Sequence, residues 1–243
     1  NFKLLKKLEK VVFFRFDIKK FGILQKKIKL IKPDLIIFAA GQIAVTKSVI
    51  NPREDFESTM VGAFNTLEAI RLNSPNSSLI YSSSNKVYGK LENLKLNEKQ
   101  DKYELKNSKE LINENNQLDF SSPYGCSKGS SDQYVRDYSR TYKLKTVVFR
   151  MSCIYGPNQW GTQDQGWISW FIKKSLKNGS SIKIFGNGKQ VRDILYIEDL
   201  VRLYEITFKK IKNTKGEIFN IGGGVNNTIS LLQLIKILKK INK

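Results

Sequence analysis

In the stretch SSPYGCSKGSSDQY, residues 121–134, a tyrosine and a lysine stand four positions apart, Tyr124 and Lys128. On a helix, residues i and i+4 lie one above the other, so the two side chains point the same way. A phenol with an ordinary pKa of about 10 is a poor base near neutrality, and a nearby ammonium lowers that value by favouring the phenolate. The spacing therefore suits general acid/base chemistry. Ser122 fits as a helix cap and Pro123 as the first helical residue, which places both side chains in a defined first turn. Gly125 and Gly129 would let the helix approach its neighbours closely. The same spacing also arises by chance on amphipathic helices, where the pair would be incidental.

A third reacting group is Ser84, at the end of SLIYSSS. Ligand sites in doubly wound sheets lie at the carboxyl ends of the strands, where Ser84 could hydrogen-bond a substrate hydroxyl and Tyr124. Its bland alternative is a loop-capping serine. The chain has no histidine, so proton transfer falls to Tyr, Lys, Asp, Glu or Cys. With two cysteines, Cys126 and Cys153, neither a disulfide framework nor a zinc cluster is expected, and no metal site is read.

The elements that must hold these groups alternate. VVFFRFD (11–17), DLIIFAA (34–40), SLIYSSS (78–84) and TVVFRMS (146–152) read as strands, nearly continuously apolar as parallel strands buried on both faces are. Between them GILQKKIKLIK, Phe56–Leu72 and Pro123–Tyr142 carry helical periodicity. The pattern predicts an α/β fold with a doubly wound parallel sheet. The polar, Asn-rich segment from Leu91 to Phe120 reads as a long surface excursion. Beyond residue 155 come a helix ending at Gly179, two short strands around the turn in IKIFGNGKQVRDILYI, a helix near 198–212, the strand EIFNIGG and a terminal helix from about Ile229. GNGKQV begins like a dinucleotide fingerprint, but Val191 replaces the third glycine and a strand follows, so it is no pyrophosphate cradle.

The formal charge of +20 raises the question of nucleic acid, yet the lysines are scattered along the polar sides of amphipathic segments and arginine is scarce. Solvated faces explain the balance better. No apolar run approaches the roughly 20 residues of a bilayer span, and the start lacks a signal-peptide pattern. A soluble, cytoplasmic protein is expected, with neither nucleic acid nor membrane as partner.

A serine at a strand end, Tyr-x-x-x-Lys on the next helix, FAAGQIAV at an earlier strand end, then RMSCIYGP and GNGKQVRDILYIEDL resemble, in order and over nearly the whole chain, the extended short-chain dehydrogenase/reductase family of NAD-dependent nucleotide-sugar epimerases and dehydratases. That resemblance implies a Rossmann-like fold with a small, discontinuous substrate-binding part, NAD as cofactor, a nucleotide-diphosphate sugar as substrate and a possible homo-oligomer. Ser84, Tyr124 and Lys128 would be catalytic. Asp17, Ile18, Ala39, Ala40, Gln42, Ser82, Met151 and Ser152, with Tyr124 and Lys128, would hold the cofactor. Ser84, Asn85, Lys86, Cys153, Gln165, Trp167, Asn187 and Arg192 would face the substrate, with surface exposure the alternative for Arg192 and packing for Trp167.

Within the family the resemblance favours an isomerase inverting C2 of a CDP-sugar by transient oxidation, in O-antigen lipopolysaccharide metabolism. C4 of a UDP-sugar and a non-catalytic binding module are the alternatives. Relatives that dehydrate their sugars carry an Asp-Glu pair after the strand-end Ser or Thr, where this chain has Asn85 and Lys86, so dehydration is not expected. Thr59 stands where relatives often have an Asn. The expected division is residues 1–155 for NAD, lacking its first βα unit, and 156–243 for the substrate part and final sheet elements. The glycine turn of that first unit is missing from the sequence, which reads as a fragment of a longer protein.

Overall fold

A computed structural model of the chain describes residues 5, 8–107, 111–177, 181 and 183–241. Four parallel strands, β1 (Leu35–Phe38), β2 (Ser78–Ser84), β5 (Lys145–Met151) and β8 (Ile218–Ile221), form one sheet in the order β1-β2-β5-β8. β2 is buried along its whole length, which is why it is apolar or small at every position. The register sets Ser84 beside Met151 and Met151 beside Ile221, so the carboxyl ends of three neighbouring strands finish together.

Helices cover both faces, as the alternating pattern predicts. α1 (Phe21–Ile31) buries Leu24 and Ile28, four apart, and ends where Lys32 turns left-handed. Short helices α2 (Val45–Ile50) and α3 (Pro52–Phe56) lead through a π turn, Glu57–Val61, into α4 (Gly62–Asn73). α5 (Ser122–Tyr142) packs against β2 and β5. Leu67, Ile70, Leu79, Tyr81, Val135 and Val148 form the centre of the core between these layers. Each buried aliphatic side chain contributes about 1.5–3 kcal/mol relative to exposure.

A smaller layer follows. β6 (Cys153–Tyr155) pairs in parallel with β7 (Val191–Tyr196), which pairs antiparallel with β9 (Thr228–Ser230). α6 (Trp167–Ser175) and α9 (Leu231–Ile241) share a cluster of Ile168, Phe171, Leu234 and Leu238. α7 (Ile197–Lys209) and α8 (Ile211–Thr214) carry the chain back to β8.

Several expectations need correction. Residues 11–17 form no strand, and among the described residues no strand pairs with them. The region 183–185 is likewise irregular, and only Val191–Tyr196 of the expected strand pair is a strand. The excursion after Leu91 is not all loop: it holds a hairpin, β3 (Leu96–Glu98) with β4 (Tyr103–Leu105). The helix near 198–212 divides at Lys210, and the terminal one starts at Leu231. Gly179, expected to end a helix, lies outside the described residues. Gly186 and Gly188 occupy left-handed turn positions ahead of β7.

Inside the sheet layer lies a charged pair. Arg150 of β5 donates through Nε and Nη2 to both oxygens of Asp132 on α5, at 2.8 and 3.0 Å, and the two side chains are 2% and 0% exposed. Asp132→Ala would leave the guanidinium buried without its anion, a change that costs about 3–5 kcal/mol. Urea unfolding should show that loss, whereas a change below about 1 kcal/mol would mean that water reaches the pair.

Candidate active site

Tyr124 is set by the way α5 begins. Ser122 has φ 77°, a left-handed turn, and its hydroxyl accepts from the Gly125 amide at 3.2 Å, as a cap does. The Tyr124 amide donates to the Ser48 hydroxyl of α2 at 3.1 Å. A Cβ on Gly129 would lie 2.1 Å from the Phe120 ring, and one on Gly125 3.3 Å from the Lys86 carbonyl oxygen. Those glycines let the helix lie directly on the chain that enters it and on the turn after β2.

Ser84 ends β2, is 8% exposed, and accepts from the Lys86 amide at 3.2 Å. Its hydroxyl acts on the Tyr124 phenol. Burial pushes that phenol above its ordinary value, the Ser84 hydroxyl works against the rise, and the charge of Asp55 adds to it. Lys128, 5% exposed, donates from Nζ to the Ser82 carbonyl at 2.8 Å and sits 5.2 Å from the centre of the Tyr81 ring. Burial lowers its ammonium to about 8, with Asp55 opposing. The i, i+4 spacing thus brings Tyr124 and Lys128 to one face, but desolvation dominates the phenol, which is raised rather than lowered.

On the cofactor side, Asn65 of α4 donates to the carbonyls of Ile18 and Lys19, both at 3.0 Å, fixing the turn that presents Asp17 and Ile18. Ala39 and Ala40 are exposed past β1, and Gln42 folds onto Ala44 through its side-chain amide. Between them Gly41, at φ +122°, has no room for a side chain: a Cβ would meet Thr59 Oγ1 at 2.7 Å. Ser82 shares a hydrogen bond of 2.9 Å with Tyr204 of α7, whose hydroxyl also reaches Met151 Sδ at 3.8 Å. Ser152 Oγ is buried without a partner among the described residues.

Substrate-side residues divide into two groups. Asn85 is exposed beside Ser84. Burial lowers the Lys86 ammonium, the Arg192 charge lowers it further and Cys153 opposes. Trp167, Arg192, Gln163, Trp170 and Phe185 line an open cleft of about 180 Å³. Gln165 and Asn187 are not brought there. Gln165 closes a turn with Thr162, and Asn187 donates to the Tyr103 hydroxyl at 2.6 Å, locking its loop to the hairpin.

Sequence reasoning missed Ser48, Asp55, Asp132 and Tyr204. A signal existed for one: Arg150 inside the apolar run TVVFRMS requires a buried anion, and Asp132 is available on the same helix as Tyr124.

The sequence pattern of the NAD dependent epimerase/dehydratase family matches residues 1–222. A CDP-paratose 2-epimerase of Salmonella typhi is 45% identical over 98% of this chain and 72% of its own length. A putative UDP-glucose 4-epimerase of Methanocaldococcus jannaschii is 33% identical over 89% of this chain, which spans 63% of that relative. Among solved structures, the UDP-glucose 4-epimerase of Thermotoga maritima with UDP-glucose superposes with a TM-score of 0.81 at 28% identity, covering 98% of this chain and 71% of its own. Both the matched pattern and the identity run across the strands and helices that carry Ser84, Tyr124 and Lys128, and this chain belongs to the NAD dependent epimerase/dehydratase family.

Proposed function

We propose that the protein is an NAD-dependent nucleotide-sugar epimerase that inverts C2 of a CDP-sugar. The observation that carries this reading is the gathering of Ser84, whose hydroxyl acts on the Tyr124 phenol, and of buried Lys128, held by the Ser82 carbonyl, at the carboxyl end of β2. The choice of CDP and C2 rests on the 45% identity to the Salmonella CDP-paratose 2-epimerase.

Residues at the strand ends fit the cofactor. Gly41 keeps the turn after β1 open where a Cβ would meet Thr59, and Ser152 presents a buried hydroxyl without a partner among the described residues. Asp17 and Ile18, Ala39, Ala40 and Gln42, Ser82, Met151 and Ser152, with Tyr124 and Lys128, would hold it. Bound NAD supplies a reversible hydride acceptor for the sugar carbon. Tyr124 moves the proton between its phenol oxygen and the sugar hydroxyl, and Ser84 orients that hydroxyl and counters the effect of burial on the phenol. Lys128 supplies the positive charge behind them. Asn85 and Lys86 follow Ser84 where dehydration would need a carboxylate pair, which supports a reaction that ends at epimerisation.

Lys86, Arg192 and the aromatic cleft suit an anionic nucleotide diphosphate, since a guanidinium fork matches phosphate oxygens. Cys153 and Asn85 border the same approach, and Trp167 offers a ring for a base. The division proposed is residues 1–155 for NAD and 156–243 for the substrate part and final sheet elements. A homo-oligomer through α4 and α5 is supported by exposed Phe64, Tyr134 and Tyr142 on those helices. A sugar-nucleotide substrate fits a cytoplasmic enzyme serving O-antigen lipopolysaccharide. No helix among the described residues is long and apolar enough to cross a membrane.

The test is to incubate the intact natural protein with NAD and CDP-paratose and follow the C2 epimer by proton NMR. Tyr124→Phe should lower turnover by about 10²–10⁴-fold. No C2 epimer, with UDP-glucose converted instead, would transfer the assignment to C4. A second prediction concerns the proton itself. Because the Ser84 hydroxyl lowers the Tyr124 phenol, Ser84→Ala should move the Tyr124 titration to higher pH, read from labelled tyrosine by ¹³C NMR. An unmoved titration would remove Ser84 from contact with the phenol.

A further inference from the structure

Asp55 lies on α3 with no exposed surface, and neither of its carboxylate oxygens has a hydrogen-bond partner among the described residues. Four residues on, Thr59 Oγ1 is equally buried and equally unpartnered. An interior carboxylate in this state is costly, so its position calls for something that it acts upon. α3 packs on α5, and two α5 groups ease the penalty on Asp55: the Ser127 hydroxyl, which approaches the carboxylate without completing a hydrogen bond, and the charge of the Lys128 ammonium.

Lys128 has a matching deficit. Among the described residues its hydrogen-bond acceptor is the Ser82 carbonyl, which carries no formal charge, and its ammonium lies near the Tyr81 ring. Asp55 is the carboxylate whose charge acts on it. The remaining titratable groups around the pair are already accounted for. Tyr81 and Tyr124 both feel the charge of Asp55, and Asp132, which acts on Tyr81, is held by Arg150.

We propose that Asp55 is the buried counter-ion of Lys128, a positioning residue that keeps the ammonium charged behind Tyr124 by attraction through a dry interior. The proposal rests on the acid/base role of Tyr124 and Lys128 given above. Its physical basis is that interior charges attract at longer range than hydrated ones. With Asp55 opposing the burial, Lys128 already stands at about 8, close enough to neutrality that loss of that charge would leave part of the population uncharged. The sign is fixed: removing a negative neighbour lowers an ammonium pKa, so Lys128 would lose its proton at lower pH.

The experiment is an NMR titration of the intact natural protein labelled at lysine, with the Lys128 side-chain resonance assigned by its loss in Lys128→Met. In Asp55→Asn the Lys128 midpoint should fall by about one unit, and Asp55→Glu, which keeps the charge, should hold it near the wild-type value. Midpoints of wild type and Asp55→Asn agreeing within about 0.2 unit would overturn the proposal. If Asp55→Asn does not fold, the unsubstituted protein still decides, because the Lys128 resonance must show a step at the pH where the Asp55 carboxyl titrates; no step overturns the proposal. The titration needs no sugar and no turnover, so an inactive enzyme leaves the result standing, and an active enzyme with an unmoved Lys128 removes Asp55 alone.

Discussion

The Arg150–Asp132 pair is the constraint around which the sheet layer is assembled. A guanidinium and a carboxylate with almost no exposed surface are tolerable only when each is satisfied by the other and by further polar groups. Here the satisfaction reaches outward. Ser83 of β2 donates to Asp132, Arg150 donates to the Tyr88 hydroxyl, and Tyr88 donates to Asn220 of β8. Asn220 is bonded in turn to Glu114 and to the Ile112 carbonyl in the segment beyond the hairpin. A single network thus ties three strands, α5 and the excursion. It also fixes the angle at which α5 lies over the strand ends, and Tyr124 and Lys128 ride on that helix.

Burial then sets the chemistry of those two residues. Packing α5 on β2 removes water from both side chains, which raises the phenol and lowers the ammonium. Neither shift comes from a pairing of Tyr124 with Lys128 themselves. The serines of β2 do the local work: Ser84 at the phenol, and the Ser82 carbonyl at the ammonium, while the Ser82 hydroxyl binds Tyr204. A strand ending in three serines therefore serves the site more than the core, although all three are buried.

The smaller layer is joined to the first by side-chain and loop contacts. Asp101, between β3 and β4, pairs with Lys236 of α9 at 2.8 Å and accepts from the Ser230 hydroxyl through its carbonyl. Lys189 pairs with Glu98 at 2.7 Å, and its carbonyl accepts from Tyr103. These contacts clasp the hairpin over the turn that precedes Arg192. Exposed pairs of this kind contribute little stability singly, so their value here is in the placement of the loop. Asn187 is committed to that clasp, which explains why it does not line the cleft.

Sequence alone determined the parallel α/β plan, the helical face shared by Tyr124 and Lys128, and the strand-end location of Ser84, because these depend on local periodicity and on buried parallel strands being apolar on both faces. Composition also removed histidine chemistry. Tertiary structure decided what depends on distant partners. Residues 11–17 have the composition of a strand, yet a strand exists only beside another. The lysine-rich excursion became a hairpin because residues 187–189 and Asp101 gave it partners. The sign of the shift at Tyr124 was illegible for the same reason: helical spacing fixes direction along one helix, whereas desolvation is set by everything packed around it.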